Sequence, residues 1–135
     1  MKFSDINPSS ALKTVLVTAG MTETIYADGE KPTSGLPAKY IEILNNGYVS
    51  SNSSQFGLYQ QTLIVSINVR LSPLGTIDIV SEKAIMAKLD SILLSPVVSE
   101  KYSFSMSKTS MFGGSRNLIS GYSTKLINIV STIQN

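Results

Sequence analysis

Asp78 and Glu82 are the first candidates for catalytic residues, because two acidic residues four positions apart lie on the same face of a helix. Two carboxylates held together by a fold can act as a general acid and a general base. Both residues fall at the predicted start of a helix, where acidic side chains interact favourably with the helix dipole. We interpret them as exposed residues that stabilise the helix.

Two segments, Ser10 to Lys13 and Ser105 to Lys108, have the Ser-x-x-Lys spacing in which lysine can activate a serine nucleophile. Neither has the companion motifs of such enzymes, and the bare spacing is common by chance. Gly113-Gly114-Ser115-Arg116 is similar to a phosphate-binding loop, but it lacks the full glycine spacing, a suitably placed lysine and a following helix start. The sequence therefore predicts no catalytic residue, no metal site and no cofactor, and we do not expect an enzyme.

The composition excludes several kinds of site. The 135-residue chain contains no cysteine and no histidine, which excludes disulfides, cysteine-ligated zinc and the most common general base. The formal net charge is +2 with two arginines and no basic cluster, so we do not expect sequence-specific nucleic-acid binding. No apolar run predicts a signal peptide or a membrane span, which indicates a protein made and used in a cytoplasm.

Few charged residues occur: they make up 15% of the chain, against about 25% in typical globular proteins. Serine, threonine and asparagine take their place. A surface of short uncharged polar side chains can be covered by neighbouring subunits without desolvating many ions. The composition therefore favours an assembly protein, although a residue bias of the host explains it equally well.

One strand, one turn and one helix form the centre of the chain. Apolar residues alternate with polar ones from Leu63 to Leu71, which is the pattern of a half-buried strand. Ser72-Pro73-Leu74-Gly75 then predicts a tight turn. Residues 77–94 predict an amphipathic helix with its buried side formed by Ile85, Leu89 and Ile92, beside Met86 and Leu93.

The remaining segments predict a sheet and a second helix. A helix over residues 8–19 would begin at Asn7, which can cap free amides, with Pro8 at the first helical position. Strands are predicted at 22–27, 40–44 and 97–106, and 117–133 favours a strand, with a helix as the alternative. The predicted fold is α+β, a single domain over residues 1–135. Two helices would pack on a mainly antiparallel or mixed sheet of four to five strands, in the order α-β-β-β-α-β-β.

Three flexible loops are expected near residues 28–37, 48–57 and 108–116, where turn-forming residues or serines cluster. For residues 48–57 the alternative is a hairpin arm that becomes ordered only against a partner. Apolar side chains in such loops are often buried against a partner. We therefore take four of them as candidate contacts with a neighbouring subunit or partner; the alternative is that they pack on their own domain. These residues are Tyr48, Phe56, Met111 and Phe112.

Three segments carry a resemblance to a known family: Leu36-Pro37-Ala38-Lys39-Tyr40-Ile41-Glu42-Ile43, then Thr62 to Leu93, then Asn117 to Ile133. In length and order of elements the chain resembles the tail terminator, or tail completion, proteins of long-tailed bacteriophages. It departs from their pattern at Gly113-Gly114 and the nearby serines, where the family has more acidic or aromatic residues. Head-closure and neck proteins of these viruses share the same size and layout.

The resemblance implies a virion structural protein that is assembled in the host cytoplasm. Such subunits form a ring, typically a hexamer, that caps the tail tube and joins it to the head connector, so the implied partners are other copies, the tail tube protein and a neck protein. DNA would pass through without specific binding, along a channel lined by Arg70, Arg116 and Lys125. A ring requires two different, complementary surfaces on each subunit.

Two other classes remain as alternatives to a ring subunit. A non-viral protein-binding module predicts one dominant apolar patch, and a small enzyme using acids alone predicts a pocket with two close carboxylates.

Overall fold

A six-stranded mixed sheet and two helices make up the described part of the chain. The structure is a computed structural model that describes the backbone of residues 6–51, 58–111 and 120–134, and the side chains of 6–46, 59–106 and 120–134. The elements, in chain order, are α1 (Pro8–Thr18), β1 (Thr24–Tyr26), β2 (Lys39–Ser51), β3 (Leu58–Arg70), α2 (Ile79–Ile92), β4 (Val97–Ser99), β5 (Tyr102–Met111) and β6 (Tyr122–Gln134).

The strands lie in the order β1-β2-β3-β6-β5-β4. β1 pairs with β2 in parallel, and the other four pairings are antiparallel. β3 and β6 pair over their whole length, from Leu58 opposite Gln134 to Arg70 opposite Tyr122. All six strands belong to one sheet, so the α+β fold with two helices and a mixed sheet in a single domain is confirmed.

The predicted number of four to five strands is wrong, because the segment predicted as one strand over 97–106 forms two. β4 ends at Ser99, and the chain reverses at Glu100, whose φ of 54° is left-handed. β5 then pairs antiparallel with β4 from Tyr102. A three-residue strand is too short to show its own alternation of apolar and polar residues, so the sequence pattern predicts one strand where two are present.

Two predicted loops are in part strand. β2 continues to Ser51 and β5 to Met111, so the first residues of the segments predicted as loops at 48–57 and 108–116 pair with neighbouring strands. Serine and asparagine have low strand propensity, but pairing along a long hairpin overrides it. Residues 52–57 and 112–119 lie outside the described residues. The last strand begins at Tyr122 rather than near residue 117.

α1 begins at the predicted cap and ends at the predicted stop. The Asn7 side chain accepts a hydrogen bond from the Ser10 amide at 3.5 Å. α1 ends before Gly20, which has a φ of 100° and donates its amide to the Val17 carbonyl at 3.1 Å. This left-handed glycine satisfies a carbonyl that the last helical turn leaves free. α2 is two residues shorter at each end than the predicted 77–94.

The core lies on one face of the sheet, which we call the helix side. β3 contributes Leu63, Val65, Ile67 and Val69, all buried as the alternating pattern predicts. Because paired residues share a face, the matching positions of β2 and β6 point the same way. α1 and α2 cover this face with five buried apolar side chains: Leu12, Leu16, Ile85, Met86 and Leu89.

The opposite face, which we call the open side, holds a buried polar network at one end. The Thr124 hydroxyl donates to Asn68 Oδ1 at 2.7 Å, and Asn68 Nδ2 donates to the Ser66 hydroxyl at 3.1 Å. The sequence predicts Ser66 and Asn68 on the polar face of a half-buried strand, yet both are buried. Mutual hydrogen bonds allow these polar groups to leave water at little net cost.

The loop over residues 28–37 is tied to the sheet at this end. The Pro37 carbonyl accepts a hydrogen bond from the Tyr122 hydroxyl at 2.8 Å, and the Leu36 carbonyl accepts one from the Arg70 guanidinium at 3.0 Å. Tyr40 is buried against Tyr122 with ring centroids 5.5 Å apart. This loop therefore covers part of the open side.

Candidate functional site

The residues with catalytic spacing have structural contacts in the folded chain. Asp78 is exposed at the start of α2, as predicted, and caps the helix, but Glu82, which the sequence also places at an exposed helix start, is buried. Its position three residues before Ile85 puts it on the buried side of α2, which is the physical reason for this correction. Lys13 pairs with Glu30 at 3.0 Å rather than serving the nearby Ser10.

Two further acidic residues among the described residues each form an ion pair with one lysine. Glu23 pairs with Lys88 at 2.5 Å, and Glu42 pairs with Lys31 at 3.3 Å. Burial raises the pKa of Glu23, but the hydrogen bond from Lys88 and local backbone bonds outweigh it and lower that pKa overall. Among the described residues, no group of three acidic side chains converges as a metal site would require.

One exposed apolar surface is formed by Leu74, Ile77, Ile79 and Val80, and we call it the turn patch. It spans the β3–α2 turn and the first turn of α2. Leu74 is 92% exposed and Val80 is 80% exposed. Single exposed apolar residues are normal on a protein surface, whereas four large ones within seven residues are a candidate contact surface of modest size.

Hydrogen bonds within the β3–α2 turn fix the backbone around Leu74. The Gly75 amide donates to the Ser72 carbonyl at 2.8 Å, and the Ser72 amide donates to the Thr76 carbonyl at 2.9 Å. These bonds close a β-turn with Pro73 at its second position, where a fixed φ is favourable. Leu74 follows at the third position and points into solvent. Its exposure is thus a property of an ordered turn.

Asp78 fixes the other half of the turn patch by capping α2. Its carboxylate accepts a hydrogen bond from the Ser81 hydroxyl at 2.7 Å and another from the Ser81 amide at 3.1 Å. The hydroxyl bond, followed by the amide bond, lowers the pKa of Asp78 below its ordinary value of 3.8. The cap sets the direction of the first helical turn, and so positions Ile79 and Val80.

A second apolar surface is a hollow of about 410 Å³ between α1, β4 and the end of α2, which we call the groove. Val98 on its wall is 71% exposed, and Leu94, two residues after the lining residue Ile92, is 88% exposed. Among the described residues, no charged side chain lines the groove. The described lining residues are Thr14, Val15, Thr18, Ala19, Ile92, Val97, Val98 and Ser99.

The turn patch and the groove lie at opposite ends of α2. Ile79 and Val80 begin the helix, while Ile92 ends it and lines the groove. Fourteen residues at 1.5 Å each separate the two surfaces by about 20 Å along the helix axis. One subunit therefore carries two distinct apolar surfaces, one protruding and one concave.

Sequence reasoning missed both surfaces, although one signal was present. Val80 lies five residues before Ile85, which places it on the side of α2 opposite the core stripe. An apolar residue there indicates a surface contact. The groove had no comparable signal, because its walls come from three elements whose packing the sequence does not specify.

The four predicted contact residues cannot be placed as side chains. Tyr48 lies in β2 and Met111 in β5, but their side chains are outside the described residues, as are Phe56 and Phe112. Met111 pairs with Ile127 near the middle of β6, whereas the end of β2 lies opposite Tyr59, which pairs with Ile133. The strands that hold Tyr48 and Met111, β2 and β5, are separated in the sheet by β3 and β6.

The three predicted channel residues do not share one surface. Arg70 is exposed at the end of β3, where its guanidinium lies 5.7 Å from the centre of the Tyr122 ring. Arg70 pairs with Tyr122 and lies on the open side, whereas Lys125 pairs with Ile67 and lies on the helix side. Arg116 is outside the described residues. The structure thus does not bring Arg70 and Lys125 together.

Comparison with known proteins supports the fold. No protein-family model and no curated protein matches the chain. Among the solved structures similar to it is one with a TM-score of 0.62 at 15% sequence identity, covering 93% of this chain and 92% of the other. The name of that structure describes no function, and at this identity the likeness shows a shared fold alone. Neither helix of the described ranges has the length and apolar character needed to cross a membrane.

Proposed function

We propose that this protein is a virion structural protein, the tail terminator or tail completion subunit of a long-tailed bacteriophage. In this proposal several copies, typically six, form a ring that caps the tail tube and offers a surface to the head connector. The protein would be assembled in the host cytoplasm and act in the virion. The family resemblance of three segments, which fall on the start of β2, on β3 with α2, and on β6, supports the assignment.

The observation that carries the proposal is the presence of two different apolar surfaces on one subunit. A two-fold dimer uses the same patch on both copies, whereas a ring needs one surface to meet a different one on its neighbour. A binding module with a single partner requires only one such patch. The turn patch and the groove, about 20 Å apart along α2, meet the requirement of a ring.

In this proposal DNA passes through the centre of the ring, so the charge of the channel wall matters. A channel through which DNA slides requires a weakly positive wall rather than a tight binding site. Arg70 is exposed and stays in this role, while Lys125 projects from the other face of the sheet and would line a different surface. A net charge of +2 is consistent with passage without retention.

Negative-stain images of the purified protein test the proposal. We expect ring-shaped particles of uniform diameter with a central hole wide enough for duplex DNA, forming as concentration is raised, with and without magnesium. Particles without a hole, or a strict monomer at every concentration that also fails to bind tail tubes, would contradict it.

A further inference from the structure

We propose that the turn patch of one copy inserts into the groove of a neighbouring copy. This inference rests on the proposed function for its choice of a second copy as the occupant. It goes further by naming the two surfaces that meet. Leu74 and Val80 would be the protruding residues, and the walls of α1, β4 and the end of α2 would receive them.

Shape favours this pairing. The turn patch protrudes, with Leu74 at the third position of a closed β-turn, and the groove is concave with about 410 Å³ of space. Clefts that enclose small ligands begin at roughly 300 Å³, so the groove can accept two or three aliphatic side chains. Because the turn is already ordered by hydrogen bonds, docking does not have to order a flexible segment.

Charge also favours it. In the part of the chain that the structure describes, the residues lining the groove are uncharged, and so are the four residues of the turn patch. The one carboxylate within the patch segment, Asp78, is engaged by Ser81. Docking would therefore bury little charge, which avoids the large desolvation cost of unpaired ions.

The area fits a weak contact between copies. The exposed parts of Leu74, Ile77, Ile79, Val80, Leu94 and Val98 amount to on the order of 400 Å² of apolar side-chain area, at roughly 100 Å² for each fully exposed side chain. A small specific interface buries about 1,200 Å² in total, of which somewhat more than half is apolar. Each contact would be weak alone, so closure of the ring or binding to the tube would stabilise it.

The placement of the surfaces makes the contact directional. Each copy would offer its turn patch to one neighbour and its groove to the other. A contact of this kind closes into a ring or continues as a filament, but it does not stop at a two-fold dimer.

Cysteine cross-linking tests the pairing, because the natural chain contains no cysteine. We would make Val80→Cys in the turn patch and Thr18→Cys in the groove wall, both at exposed positions that tolerate a residue of similar size. Under mild oxidation, a mixture of the two variants should give at least tenfold more disulfide-linked dimer than either alone. The double variant should give a ladder of linked oligomers.

The matched control is Ala87→Cys mixed with Thr18→Cys. Ala87 is exposed on α2 two turns after Val80 and outside both surfaces, so this mixture should cross-link at the level of random collision. Equal melting temperatures for all variants would show that each one folds.

Three results separate failure of this inference from failure of the proposed function. Cross-linking of Val80→Cys with itself would overturn the pairing, because the turn patch would then meet its own copy. Rings in the electron microscope without Val80–Thr18 cross-links would also overturn it, while leaving the ring function standing. Absence of both cross-links and rings would contradict the pairing and the function together.

Discussion

Replacing Leu74 with serine should weaken self-association without weakening the fold. Leu74 is 92% exposed in the single subunit, so its removal leaves no cavity and should change the free energy of unfolding by less than about 0.5 kcal/mol. Serine is also favourable in a β-turn. If Leu74 is fully buried in the groove of a neighbour, its loss costs about 1.5–3 kcal/mol of burial free energy per contact. This corresponds to a dissociation constant roughly 10- to 100-fold higher.

Sedimentation velocity over a concentration series measures this effect, and thermal unfolding measures stability in the same samples. Ala87→Ser is the matched control, since Ala87 is exposed on α2 outside both apolar surfaces. An unchanged association constant for Leu74→Ser, at unchanged stability, would refute the role of the turn patch. A large loss of stability would refute the conclusion that Leu74 makes no contact within its own subunit.

Two further predictions concern the fold. Tyr40→Phe should leave the free energy of unfolding nearly unchanged or raise it, because the buried Tyr40 hydroxyl has no hydrogen-bond partner in the described part of the chain. Tyr122→Phe removes a hydrogen bond to the Pro37 carbonyl and should lower the free energy of unfolding by about 1 kcal/mol, measured by urea denaturation. Burial, followed by the charges of Glu42, Tyr122 and Tyr26, raises the pKa of Tyr40 to about 12. Stability should therefore fall as pH rises from about 10 through 12, and Tyr40→Phe should flatten this loss. The lowered pKa of Asp78 stabilises the fold above pH 3.8, and this stability is lost as pH falls through the lowered pKa. Asp78→Asn keeps the cap, so its free energy of unfolding should fall less steeply with decreasing pH than that of the natural protein. An equally steep fall would contradict this prediction.

The centre of the chain could be predicted because its patterns are long and regular. The alternation along β3 and the helical stripe of α2 each repeat several times, so the buried faces of both elements follow from the sequence. The cap at Asn7 and the stop at Gly20 are local chemical signals that do not depend on the rest of the fold. These features correctly indicated an α+β domain with two helices.

Other features depend on tertiary contacts that the sequence does not show. β2 and β5 extend into segments of weak strand propensity because a paired neighbour satisfies their backbone groups. Ser66 and Asn68 are buried because Thr124, 56 positions away from Asn68, completes their hydrogen bonds. Leu74 is exposed because no other described element packs against it, and a local sequence pattern does not predict such an absence.

The mass of the particle in solution tests the central claim most directly. Light scattering on protein separated by size, over a wide concentration range and with magnesium, should show growth from the 14.5 kDa monomer to a closed species of fixed size. A hexameric ring would have a mass of six times 14.5 kDa, about 87 kDa. A mass that stops at two copies would show a two-fold contact, and open-ended growth would show a contact that does not close; either result, or a mass of one copy even with tail tubes present, would contradict the ring.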